Sequence, residues 1–188
     1  MNKLLVFSLV VLLILSCAGP KKETPQKPTT PVQSEFIAIT KVVDSMTVIS
    51  LEKKGPYAEV SKAFGELMGW AISNKVRVTG LPFAIYYDDP NKVVPESTRY
   101  EVCVPITPAV KEDKLVKVKK IPTTEVASTI YVGPYDKIGP TYVNFMSWLE
   151  KNNYMVVGPV REVYLNDPSK IPAESLKTEI QFPIKKKS

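Results

Sequence analysis

The 188-residue chain has no histidine and only two cysteines, Cys17 and Cys103. Without an imidazole there is no Ser-His-Asp or Cys-His nucleophile pair, no His-ligated zinc and no His-ligated haem. Two thiols cannot build a four-sulfur site, so structural zinc and iron–sulfur clusters are not expected, and no cofactor is. Charge is also scarce where a folded domain would sit. The formal net charge is +6, but Lys21, Lys22, Lys27, Lys185, Lys186 and Lys187 lie near the two ends and are offset there only by Glu23. The residues between are near neutral, and no segment fits a helix-turn-helix, so nucleic acid is not an expected partner.

What is present starts with an apolar run from Leu4 to Leu15, interrupted by Ser8 and preceded by Lys3. As a helix it would reach about 18 Å, short of a hydrocarbon core of about 30 Å, so it reads as an export signal rather than a span. Ile14-Leu15-Ser16-Cys17 resembles the lipobox of bacterial lipoproteins. That resemblance implies a signal peptide over residues 1–17 and lipidation of Cys17. The protein would then be exported and membrane-anchored, at the periplasmic face of the outer membrane or at the cell surface. A plain secretory signal with an incidental Cys17 is the simpler alternative. Residues 18–34, rich in Pro, Lys and Thr, read as an extended tether. Residues 185–188 read as a solvated basic tail, with attraction to anionic lipid the lesser reading.

The remainder, residues 35–184, is written twice. Gly55-Pro56-Tyr57 returns as Gly133-Pro134-Tyr135, and the same shift of 78 residues carries Trp70 onto Trp148, Tyr86 onto Tyr164, and Glu101 onto Glu179. From Gly55 to Ile106, 17 of 52 positions are identical to their partners, where average composition gives roughly three or four. Strands are expected over Glu35–Val43 and Met46–Glu52, then a helix over Tyr57–Ser73 with Val60, Phe64, Leu67 and Ala71 as its core stripe. The second stripe is Ile138, Tyr142, Phe145 and Leu149. A strand Phe83–Tyr87, a turn at Asp88-Asp89-Pro90 and a strand Arg99–Val104 come next, and recur as Arg161–Leu165, Asn166-Asp167-Pro168 and Lys177–Phe182. The expected fold is therefore α+β, with two pseudo-two-fold-related βαββ-type halves, 35–106 and 114–184, around a central cleft.

The ordered motifs Gly-Pro-Tyr, Trp, Gly-Pro, Glu162-Val163-Tyr164-Leu165-Asn166-Asp167-Pro168 and Thr178-Glu179-Ile180-Gln181-Phe182-Pro183-Ile184 resemble the GyrI-like small-molecule-binding family. That family includes AraC-type effector-binding domains and shares its fold with SOUL haem-binding proteins. The resemblance implies a cleft for small aromatic, often cationic, molecules with a buried glutamate as counter-charge. It also implies a possible hydrolase activity, since some stand-alone members act on strained, cyclopropane-bearing electrophiles.

Strand alternation puts Glu162 with Tyr164, and Glu179 with Gln181, opposite their apolar neighbours. If the apolar residues take the helix-covered side, Glu162, Tyr164, Glu179, Gln181, Ala84, Tyr86, Glu101 and Cys103 share the face where the halves meet. The candidate ligand-binding residues are then Glu179, Glu162, Glu101, Trp148, Trp70, Tyr135, Tyr57, Tyr164 and Tyr86, with aromatic faces to attract a cation. For the hydrolase alternative, Glu179 and Glu162 would divide acid and base roles. The sequence leaves binding and catalysis both open, with a lipid-anchored binding module for small aromatic or cationic compounds leading.

Overall fold

The computed structural model describes residues 36–107 and 110–187. The signal, Cys17 and the tether lie outside these residues. The described chain folds as a mixed α/β unit, a curled antiparallel sheet covered by two helices.

Strand β1 (Ile39–Val43) leads through a short turn into β2 (Met46–Lys54). Gly55 at φ +145° and Pro56 then turn the chain into a 3-10 turn over Tyr57–Glu59 that runs into helix α1 (Val60–Ser73). Lys75 ends the helix at φ 55°, with the Asn74 side chain donating to the Trp70 carbonyl. Strands β3 (Phe83–Tyr86) and β4 (Arg99–Pro105) follow. The next residues repeat this order: β5 (Lys117–Ile121), β6 (Thr124–Val132), a 3-10 turn over Tyr135–Lys137, α2 (Gly139–Lys151), a short β7 (Tyr154–Val156), β8 (Val160–Tyr164) and β9 (Lys177–Lys186). The two unusual backbone pairs also fall 78 residues apart: Gly55 with Gly133, and Lys75 with Asn153.

The strand order is β1-β6-β9-β8-β3-β4-β2-β5, with β7 added beside β9. Two consequences were not visible in the sequence. The first strand of each half pairs with the other half, β1 with β6 and β5 with β2. The centre of the sheet is the β3–β8 pair, where Ala84 lies directly opposite Glu162.

Both faces of the sheet bury apolar residues. On the helix face, α1 packs Val60, Ala63, Leu67 and Ala71 on Ile49, Leu51, Ala84, Val102 and Val104. There α2 packs Phe145 and Leu149 on Ala127, Ile180, Phe182 and Ile184. Phe64, Ile138 and Tyr142 of the expected stripes are only partly buried, because they lean over the groove between the helices. On the back face Val48, Phe83, Ile85, Cys103 and Ile121 form a second, smaller cluster.

The expected basic tail is largely structured. Ile184, Lys185 and Lys186 pair with β7, and the Lys186 ammonium sits 4.0 Å from the centre of the Tyr154 ring and donates to the Asn152 carbonyl. Its long stem covers apolar surface while its charge finds a ring face and a helix-end carbonyl, which holds a lysine-rich terminus in the sheet.

Candidate functional site

The Gly-Pro-Tyr turns place Tyr57 and Tyr135 at the starts of the two helices. Between those helices runs a groove of about 1990 Å³ whose floor is the β3–β8 pair. Tyr86 and Tyr164, at the strand ends, join through their hydroxyls at 2.8 Å. Tyr57 packs edge-on against Tyr86 at 4.8 Å, and Tyr135 against Tyr164 at 5.4 Å. Phe64, Met68, Val143 and Met146 complete an adaptable apolar wall.

In the middle of this floor stands Glu162, 8% exposed. Its carboxylate accepts from the Tyr142 hydroxyl at 2.6 Å and from the Tyr164 hydroxyl at 3.2 Å. Among the described residues no lysine or arginine pairs with it. Burial raises the Glu162 carboxyl above its ordinary value, and the tyrosine hydroxyls oppose that rise only in part. Burial and the adjacent carboxylate likewise push the Tyr142 phenol up, so it stays a hydrogen-bond donor. The site is thus an apolar, aromatic trough with a buried carboxylate on its floor that no described lysine or arginine pairs, an arrangement that favours a cation whose body is apolar.

The candidates named from sequence divide between the two faces. Glu162, Tyr57, Tyr86, Tyr135 and Tyr164 line the groove together. Glu179 and Glu101 do not: the β8–β9 register sets Glu162 opposite Ile180 and Val163 opposite Glu179, and the β3–β4 register sets Glu101 opposite Ile85. Directly opposed residues share a face, so both carboxylates, with Gln181 and Cys103, lie behind the sheet. The alternation within each strand holds, but the premise that the helices cover the only apolar face does not, because Phe83, Ile85 and Val163 pack on the back. There Glu179 is engaged by Lys41 at 2.5 Å and by the Ser128 hydroxyl. Burial raises this carboxyl, but the lysine and serine outweigh it and hold the group below its ordinary value. Glu101, 1% exposed, accepts from the Tyr87 hydroxyl at 2.7 Å and from Lys119.

The tryptophans also lie outside the groove lining. Trp70 donates to Asp113 at 2.7 Å, and Trp148 stacks on Tyr154 with ring centres 6.0 Å apart. They sit at helix ends and close the edges of the two front cores. Tyr142, taken from sequence as core, is the closest hydroxyl to Glu162. The signal was available in the offset: Tyr142 falls on Phe64, and Glu162 on Ala84, so acid and hydroxyl arise together in one half.

A family model for the GyrI-like small molecule binding domain matches residues 40–185. A protein from Citrobacter rodentium called DNA gyrase inhibitor is 34% identical over 133 residues, 66% of this chain and 83% of that protein. Among solved structures, the C-terminal domain of EcmrR superposes with a TM-score of 0.73 at 24% identity, covering 80% of this chain and 98% of that one. A hydrolase from Listeria innocua gives a TM-score of 0.58 at 14% identity, covering 80% of this chain and 93% of its own. With a family model spanning the sheet, both helices and the groove between them, the chain belongs to the GyrI-like small-molecule-binding family.

Proposed function

We propose that the chain is a lipid-anchored envelope protein that binds small aromatic or amphipathic cations in its groove, with Glu162 as the counter-charge. The observation that carries this is a buried carboxylate with tyrosine hydroxyls and, among the described residues, no basic partner, at the floor of an apolar groove. A cation entering there is stabilised by the charge and by the aromatic faces around it. The two halves are read as an internal duplication, supported by the 78-residue offset in sequence and in element bounds. Cys17, where the chain resembles a lipobox, is the proposed anchor, and nucleic acid is not a proposed partner. The relatives' name, DNA gyrase inhibitor, is not carried over, because an exported protein would not meet that enzyme.

The test is calorimetry of the full chain with tetraphenylphosphonium, an aromatic cation. We expect saturable one-to-one binding that weakens at least tenfold in Glu162→Gln. Unchanged affinity in that variant overturns the reading.

A second reading, hydrolysis of a strained electrophile, is favoured by one feature, the proton affinity of Glu162 beside the Tyr142 and Tyr164 hydroxyls. Glu179 faces away from the groove, so Glu162 would act without a second carboxylate. Turnover of a cyclopropane-bearing alkylator that disappears in Glu162→Gln supports it, and stoichiometric binding without product excludes it.

A further inference from the structure

Behind the sheet lies a second cavity, of about 360 Å³, whose lining shares only Leu81 with that of the groove. Its lining is mostly apolar, with Met46, Phe83 and Val163, and it contains Arg161 and Gln181. These two stand directly opposite each other on β8 and β9. Their 78-residue counterparts, Phe83 and Cys103, are also directly opposed, on β3 and β4. One half therefore carries an apolar pair where the other carries a guanidinium and an amide.

Arg161 is only 5% exposed, yet no hydrogen bond or ion pair from its side chain is formed with the other described residues. None of the described carboxylates on its face pairs with it, and Glu52, opposite Glu101 on β2, is exposed and three strands away. Glu179 is held by Lys41 and Ser128, and Glu101, two strands away behind Ile85, is held by Lys119 and Tyr87. The sealed polar atoms without partners are on Ser50, Glu101 and Thr178, so the Arg161 nitrogens are not fully sealed, and Arg161 is among the residues that line the cavity. A buried guanidinium is costly unless an anion meets it, and its planar fork fits a carboxylate through two parallel hydrogen bonds.

From this placement we infer that the back cavity is an anion site, in which Arg161 and Gln181 bind the carboxylate of a small organic acid whose apolar body rests against Met46, Phe83 and Val163. The site is independent of the groove and of the function proposed for it. Gln181, whose amide also reaches Glu179 and helps hold that carboxyl low, stands beside the guanidinium with a second amide hydrogen to donate, and the apolar walls select an acid with a hydrocarbon or aromatic body over a bare inorganic anion.

The experiment is titration of the full chain with benzoate, with benzamide as its uncharged counterpart and inorganic phosphate as the bare anion. We expect saturable one-to-one benzoate binding, at least tenfold weaker for benzamide, for phosphate and in Arg161→Met. Saturating tetraphenylphosphonium and Glu162→Gln should leave it unchanged. Where Arg161→Met does not fold, Gln181→Leu and the benzamide comparison on the unaltered chain read the same contact. Absence of saturable benzoate binding, equal binding of benzamide, equal binding of phosphate, or displacement by tetraphenylphosphonium overturns the inference. Because the groove is read by the cation titration, failure of either site is seen apart from the other.

Discussion

Glu162 and Glu179 are both strand carboxylates, and their surroundings move them in opposite directions. Glu162 binds its proton more tightly in the fold than in the unfolded chain. The unfolded state therefore holds fewer protons once pH passes the ordinary value of 4.5, and stability falls as pH climbs from there through the raised folded value. Glu162→Gln should remove that loss: its melting temperature should exceed that of the unaltered protein near neutrality and converge with it at about pH 4. Glu179, held low by Lys41 and Ser128, has the opposite sign, contributing stability above 4.5 that is lost as pH falls through its depressed value. Glu179→Gln should therefore lower the melting temperature near neutrality and converge in acid. Removing a donor from Glu162 is a finer probe. Tyr142→Phe should raise the pH at which cation binding is half lost, read from calorimetry across a pH series, because the hydroxyl favours the ionised carboxylate.

At the scale of elements, the strand-to-helix turns set where the groove tyrosines stand. Gly133 occupies φ +143°, and a Cβ there would lie 2.6 Å from the Tyr131 hydroxyl oxygen. Gly55 has nearly the same backbone angle, φ +145°, but its nearest obstacle is the Glu59 carboxylate at 3.8 Å. Gly133→Ala should thus cost more than Gly55→Ala, with a backbone contribution of about 1–3 kcal/mol in both and a steric addition in the first, measured by denaturant unfolding. These turns, both helices and the strand parity of Glu162 with Tyr164 were legible in the sequence, because each is set by residues close in the chain. Register was not. It depends on which residue of β9 meets which residue of β8, and a shift of one reverses the face on which Glu179 emerges. The tail differs from its expectation for a similar reason: its lysines stay exposed, but Lys185 and Lys186 pair with β7 and the Lys186 ammonium meets the Tyr154 ring, neighbours that are distant in the chain.

For the whole molecule, the crossed pairing of β1 with β6 and β5 with β2 makes each half depend on a strand of the other. Residues 35–106 expressed alone should stay unfolded by circular dichroism, while the full chain should melt in one cooperative transition; two resolved transitions would contradict this. The 78-residue repeat of motifs sets out the overall plan, but not this interlocking, since the offset relates matching positions and says nothing of which strands become neighbours. The facing of Ala84 and Glu162 across the middle of the sheet carries one more implication. Two identical half-size chains meeting about a two-fold axis would be forced to place the same residue on both sides of it. They would have either two acids in contact, of which one must stay neutral, or none at all. Joining the halves in one chain frees that position from symmetry, so a single carboxylate can occupy the middle of the sheet with no second acid opposite it.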